Sequence, residues 1–206
     1  MQNNKIKYLL LSAISAAILS GCATTAPSDL PSNITTKPVN AGQAVDNIRF
    51  EYTAKQPIDF SYVKLCVAQN IKYDSVRLSD SSASFVGSYT GNYYNIAKST
   101  TEQARDSIIL VDDSKGFIIA RGTTQPFSAN LGVSRIARFI ISIETDGNKL
   151  SMLLDNVEQA QLNTGAAQNS GFSTVGTWFG SGFDYAYSAI TATKDSLTSC
   201  LAQRGF

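Results

Sequence analysis

Arg135-Ile-Ala-Arg-Phe-Ile-Ile-Ser-Ile-Glu-Thr145 alternates apolar and polar residues, with Phe139, Ile141 and Ile143 on one face. Asp146-Gly147-Asn148 follows, a cluster of turn-forming residues, and a second apolar-rich run then extends from Lys149 to Val157. Two such runs around a short Gly-containing turn predict an antiparallel β-hairpin. A weaker copy precedes it. Ile108 to Val111 and Phe117 to Ala120 flank Asp112-Asp113-Ser114-Lys115-Gly116 and predict a second hairpin. Four antiparallel strands therefore form the middle of the chain.

Outward from the hairpins the period changes. Ile48 to Thr53 alternates as a half-buried strand does, and Pro57 suits the first turn of a helix. Phe60, Val63, Val67 and Ile71 then recur at helical spacing, with Cys66 at the flank of the stripe. Tyr73 to Thr101 is rich in Ser and Tyr and has no clean period; Phe85-Val86 is a candidate short strand there. Beyond the main hairpin, Asn163 to Gly182 carries five glycines and predicts a long loop. Phe183, Ala186, Ile190, Thr193, Leu197, Cys200 and Leu201 share one face of a final helix to about Gln203. The expected fold class is α+β: a curved antiparallel sheet with two helices on one face, in the order strand, helix, four strands, helix. That order is similar to the fold of TATA-box-binding-protein-like domains, several families of which are bacterial. The likeness is one of topology and carries no functional residue with it.

Composition bounds the chemistry. Of 206 residues, 43% are apolar, enough for a sizeable core, and only 16% are charged against roughly 25% in an average domain. There is no histidine, which removes Ser-His-Asp and Cys-His nucleophiles and the usual His-bearing metal sites. A net charge of +1 argues against nucleic acid as a partner. No phosphate-binding loop, dinucleotide fingerprint or metalloprotease motif is present, so no cofactor and no metal are expected. No catalytic residue is singled out either. A Ser-Lys hydrolase is the remaining enzymatic alternative, without a spacing to point to it.

The first residues carry an address. Lys5 and Lys7 precede an apolar run from Tyr8 to Leu19, too short to span a bilayer of about 30 Å but suited to a signal peptide. Leu19-Ser20-Gly21-Cys22 resembles the lipobox of bacterial lipoprotein precursors. The resemblance implies cleavage after residue 21, lipidation of Cys22 and, with Ala23 next, sorting to the outer membrane. Two or three acyl chains would hold the chain firmly to the bilayer. Without Lys5 and Lys7 the mature chain would carry a charge near neutral. Residues 22–45, with three prolines and no apolar period, read as a flexible tether that spaces residues 46–206 from the membrane and leaves them facing the periplasm.

Such a compartment is oxidising. With Cys22 lipidated, Cys66 and Cys200 remain, on two helices expected to share a sheet face, and a structural disulfide is the leading expectation. Two buried free thiols, or a redox pair, are the alternatives. Asp112-Asp113 could hold calcium or do acid/base work, but their place in a tight turn explains them as well. Asp155 and Glu158 carry less information. The remaining candidate is an aromatic loop. Phe172, Trp178 and Phe179 lie among glycines, and rigid aromatic rings suit a binding surface. They equally suit a membrane interface or a cap on the core. Tyr89, Tyr93 and Tyr94 could line the same surface. The expected function is a non-enzymatic envelope lipoprotein that binds another envelope component, with a probable protein partner of unknown identity. The alternative is a carrier or sensor of a small apolar or glycan ligand.

Overall fold

The computed structural model describes residues 30–128 and 132–206. The expected signal peptide, the expected lipidation site Cys22 and the first part of the expected tether lie outside the described residues. Among the described residues the fold is α+β, with a large antiparallel sheet and two helices. In chain order the first half comprises β1 (Ile34–Val39), β2 (Gly42–Thr53), α1 (Phe60–Asn70), β3 (Val76–Asp80), β4 (Phe85–Val86), β5 (Tyr93–Tyr94) and β6 (Lys98–Glu102). The second half comprises β7 (Ile108–Asp112), β8 (Phe117–Thr123), β9 (Phe127–Ser128), β10 (Ser134–Asp146), β11 (Lys149–Gln161), β12 (Ser173–Thr174) and α2 (Phe183–Gln203).

The β10–β11 hairpin is the centre of the sheet, whose order is β1-β2-β11-β10-β8-β7. Its turn pairs Asp146 with Lys149, and Gly147 between them has φ 60°, a left-handed value that glycine adopts without steric cost. The turn sets the register, and the register decides which side chains face inward. Phe139, Ile141 and Ile143 of β10 and Leu150, Met152 and Leu154 of β11 are buried on one face. Ile118 and Ala120 of β8 extend the same layer, and Val63, Cys66 and Val67 of α1 with Ile190, Leu197 and Leu201 of α2 complete the cluster. Each large aliphatic side chain buried there stabilises by about 1.5–3 kcal/mol.

Asp59 caps α1, its carboxylate accepting a hydrogen bond from the Ser61 amide at 2.8 Å. A disulfide between Cys66 and Cys200 joins α1 to α2, with Cα atoms 5.8 Å apart and 134 residues between them in the chain. Closing so long a loop stabilises by about 5 kcal/mol in the chain-entropy account.

Two expectations need correction. The tether does not extend to Val45. Ile34–Val39 forms an edge strand on β2, Ala44 and Val45 are buried, and Leu30 and Ile34 pack on the core. Thr, Val and Ile favour extended backbone, and Pro38 is tolerated because β1 is an edge strand. The folded body thus already includes Leu30 to Val45 and does not start at residue 46. The expected element order also omits β1 and, in the aperiodic stretch after Tyr73, β3, β5 and β6, while the candidate strand Phe85-Val86 is present as β4. There, β3 pairs with β6, and β4 with β5, as two small sheets outside the main one.

The first correction is testable by equilibrium urea unfolding. Val45→Ala should cost about 2 kcal/mol, as a deletion in a packed core does. A tether residue would give no change in midpoint.

Candidate binding groove

After β11 the chain turns back across the end of the sheet, and short polar side chains fix its path. Asn169 donates from Nδ2 to the carbonyls of Ser79 (3.2 Å) and Gln161 (2.9 Å), while its Oδ1 accepts from the Gly171 amide at 3.0 Å. Asp80 accepts from the Ser82 hydroxyl at 2.5 Å and from the Asn169 amide at 3.1 Å. These bonds, that of the Ser82 hydroxyl foremost, hold the Asp80 carboxyl below its ordinary value.

The next segment is laced between two strands. β12 pairs with β11, the Val45 amide donates to the Val175 carbonyl at 2.8 Å, and the Thr177 amide donates to the Gln43 carbonyl at 2.9 Å. Val175 and Thr177 are buried. The glycine-rich segment is therefore pinned where Trp178 enters.

Trp178 is half-buried and its six-membered ring lies against the Gly176 α-carbon, so a Cβ at 176 would collide with the indole. Phe179, the next residue, is 94% exposed. The turn into α2 is held from below. Arg135 Nη1 and Gln159 Nε2 both donate to the Ser181 carbonyl, each at 2.6 Å. Gly182, with φ 86°, starts the helix directly against the Arg135 guanidinium, where no Cβ would fit. Burial lowers the pKa of Arg135, which has no acid partner among the described residues.

These elements enclose a groove of about 410 Å³ lined by Arg135, Gln159, Gln161, Thr164, Asn169 and Trp178. Two of these side chains also hold a buried atom without a hydrogen-bond partner among the described residues, Arg135 Nε and Gln159 Oε1. Gln159 is itself only 8% exposed. An unsatisfied buried amide or guanidinium atom is costly and rare. One indole wall, two amide side chains, a guanidinium and hydroxyls suit a polyhydroxylated ligand.

The structure divides the aromatic candidates. Phe172 does not line the groove; it packs with Val76, Leu78, Ile136 and Ala160, its ring 4.1 Å from the Arg138 guanidinium. Tyr89, Tyr93 and Tyr94 lie on or beside the β4–β5 pair, where Phe85 and Tyr94 stack at 5.1 Å, and line no wall of the groove. Asp112 closes its turn by accepting from the Ser114 hydroxyl at 2.6 Å, which lowers its pKa, and Asp113 pairs with Lys64 at 2.5 Å. Glu158 is held by Arg138 at 2.6 Å. Among the described residues no three acids or cysteines gather as metal ligands, and no helix is long and apolar enough to cross a membrane. Arg135 and Gln159 escape a reading of the sequence, because as strand residues they carry no motif.

No family model matches the chain, and no curated protein matches it. Among solved structures it is similar to a DUF4468 family protein from Bacteroides ovatus ATCC 8483, at 9% identity over 84% of this chain and 90% of that one. The TM-score is 0.37, too low for the likeness to carry any argument about function.

Gly176→Ala should displace the indole and red-shift the emission of the only tryptophan in the chain, at a stability cost of about 1–3 kcal/mol. An unchanged spectrum would contradict the seating of Trp178 on Gly176.

Proposed function

We propose that the chain is a non-catalytic binding module of the bacterial cell envelope, anchored to the outer membrane through lipids on Cys22, and that it takes a glycan in the Trp178 groove. The observation that carries the reading is the indole wall set among the Arg135 guanidinium and the Gln159, Gln161 and Asn169 amides. A sugar ring offers an apolar face to the indole and hydroxyls that both donate and accept. The anchor rests on Leu19-Ser20-Gly21-Cys22. Because Leu30 already packs on the core, the residues between it and Cys22 span at most about 28 Å when fully extended. The groove would then work close to the bilayer surface and meet glycans there, on the periplasmic side.

A second reading, an envelope protein as partner, is favoured by the β4–β5 arm. Phe85 is 52% exposed and Tyr89 fully exposed, and no charged residue occurs between Ser81 and Ala97. Large uncharged aromatic surface of that kind marks interaction sites.

Two measurements test the proposal. Full-length chain titrated with oligosaccharides released from peptidoglycan and from lipopolysaccharide should show a saturable change in tryptophan emission. Gln159→Leu, which keeps the volume and removes the amide, should weaken binding roughly tenfold, in line with the loss of one or two buried hydrogen bonds. No saturable change with either pool sinks the glycan reading, and crosslinking from Tyr89 to a single protein would favour the second. Separately, Cys22→Ser should move the chain from the membrane to the soluble fraction; retention in the membrane would contradict the anchor.

A further inference from the structure

The face of the sheet turned away from the helices carries a second cavity, of about 350 Å³, which shares no lining residue with the Trp178 groove. Its floor is Ile140, which pairs with Arg121 on β8 and lies level with a bulge on each side. On β11 the register slips between the partners of Arg138 and Ile140, and Asn156 there is the only non-glycine among the described residues with a left-handed φ, 50°. On β7 the register slips between Ile108 and Leu110, which leaves Ile109 at the rim. Bulges re-aim side chains and concentrate beside binding sites.

Three guanidinium groups line this cavity: Arg105, Arg121 and Arg138. Arg138 is spoken for, with Nε on Glu158 and Nη1 on Glu102, each at 2.6 Å. Arg105 and Arg121 have no acid partner among the described residues. Arg121 sits 6.0 Å from the ring centre of Tyr73, and its Nε is buried with no hydrogen-bond acceptor. Two guanidinium groups that line one cavity without a carboxylate between them leave charged donors for an oxyanion to meet. Against Glu102 and Glu158, the three arginines leave one net positive charge.

We infer that this cavity is a binding site for a small monoanionic ligand, a carboxylate or phosphodiester on a compact apolar body, which accepts hydrogen bonds from Arg121 and Arg105. The planar fork of guanidinium suits both oxyanions, and Ile109, Ile140 and Tyr73 supply the apolar contact. The site lies apart from the Trp178 groove and does not depend on the glycan reading.

The test uses the full chain in detergent micelles, with benzoate and dimethyl phosphate as probes at ionic strength held constant with chloride. The readout is the Arg121 Nε–H resonance in proton–nitrogen correlation spectra. The site predicts a saturable shift of that resonance, and the probe that saturates at lower concentration identifies the oxyanion. Arg121→Gln should weaken binding at least about tenfold, followed by the resonances of neighbouring backbone amides, because a charge-assisted pair is lost. Should that variant fail to fold, Arg105→Gln, at an exposed position, should weaken it severalfold. A linear shift matched by chloride alone, or saturation unaffected by removing the arginine, would overturn the inference.

Discussion

The register of the β10–β11 hairpin is the constraint on which the rest of the molecule depends. With Asp146 opposite Lys149, Ile143 falls opposite Met152, Ile141 opposite Leu154, and all four point into one buried layer. A slip of one residue would send that layer to the other face of the sheet. The same pairing has a second consequence at the far end of the hairpin. There it sets Arg135 opposite Gln161 and Ala137 opposite Gln159, so that Arg135 and Gln159 reach one carbonyl, that of Ser181. The core and the groove are thus two ends of one ladder. The β11 bulge near Asn156 lies between them and lets the strand serve both.

Electrostatics sharpens the division of labour between the two faces. Arg138 is neutralised by Glu102 and Glu158 and stacked on Phe172, so it ties β6, β10 and β11 to the returning loop. Such a network is structural: each member satisfies the others. Arg135 and Arg121 differ, for each keeps a buried Nε without an acceptor. The first faces an amide and an indole in a polar groove, the second another guanidinium and aliphatic side chains in a cavity. Different ligand chemistry follows from those surroundings.

Much of this architecture is legible in the sequence because periodicity reports burial. The main hairpin, Phe60–Asn70 and Phe183–Gln203 each show a single apolar stripe, and the structure buries those stripes in one cluster. The edge strand Ile34–Val39 is hidden because four of its six residues are exposed, which leaves no alternation to read. Of the arm, Phe85-Val86 is legible as a short apolar pair, while its partner Tyr93-Tyr94 is hidden for the same reason. Of the groove, the sequence shows Trp178, since a lone tryptophan among glycines is conspicuous. It does not show Arg135 or Gln159, whose meaning comes from register across the hairpin and from the Ser181 carbonyl, 46 and 22 residues further on. Phe172 looks like part of the same loop and belongs to the opposite face, a separation that only the pairing of β12 with β11 creates.

The central claim is that the Trp178 groove is built before any ligand arrives, by a loop laced to β2 and β11. Amide hydrogen exchange of the ligand-free chain tests this most directly. The amides of Val175 and Thr177, bonded to the carbonyls of Val157 and Gln43, should exchange as slowly as those in the body of β2. Exchange at the rate of an open loop would mean that the groove forms only on binding, and the account of a preformed site would fail.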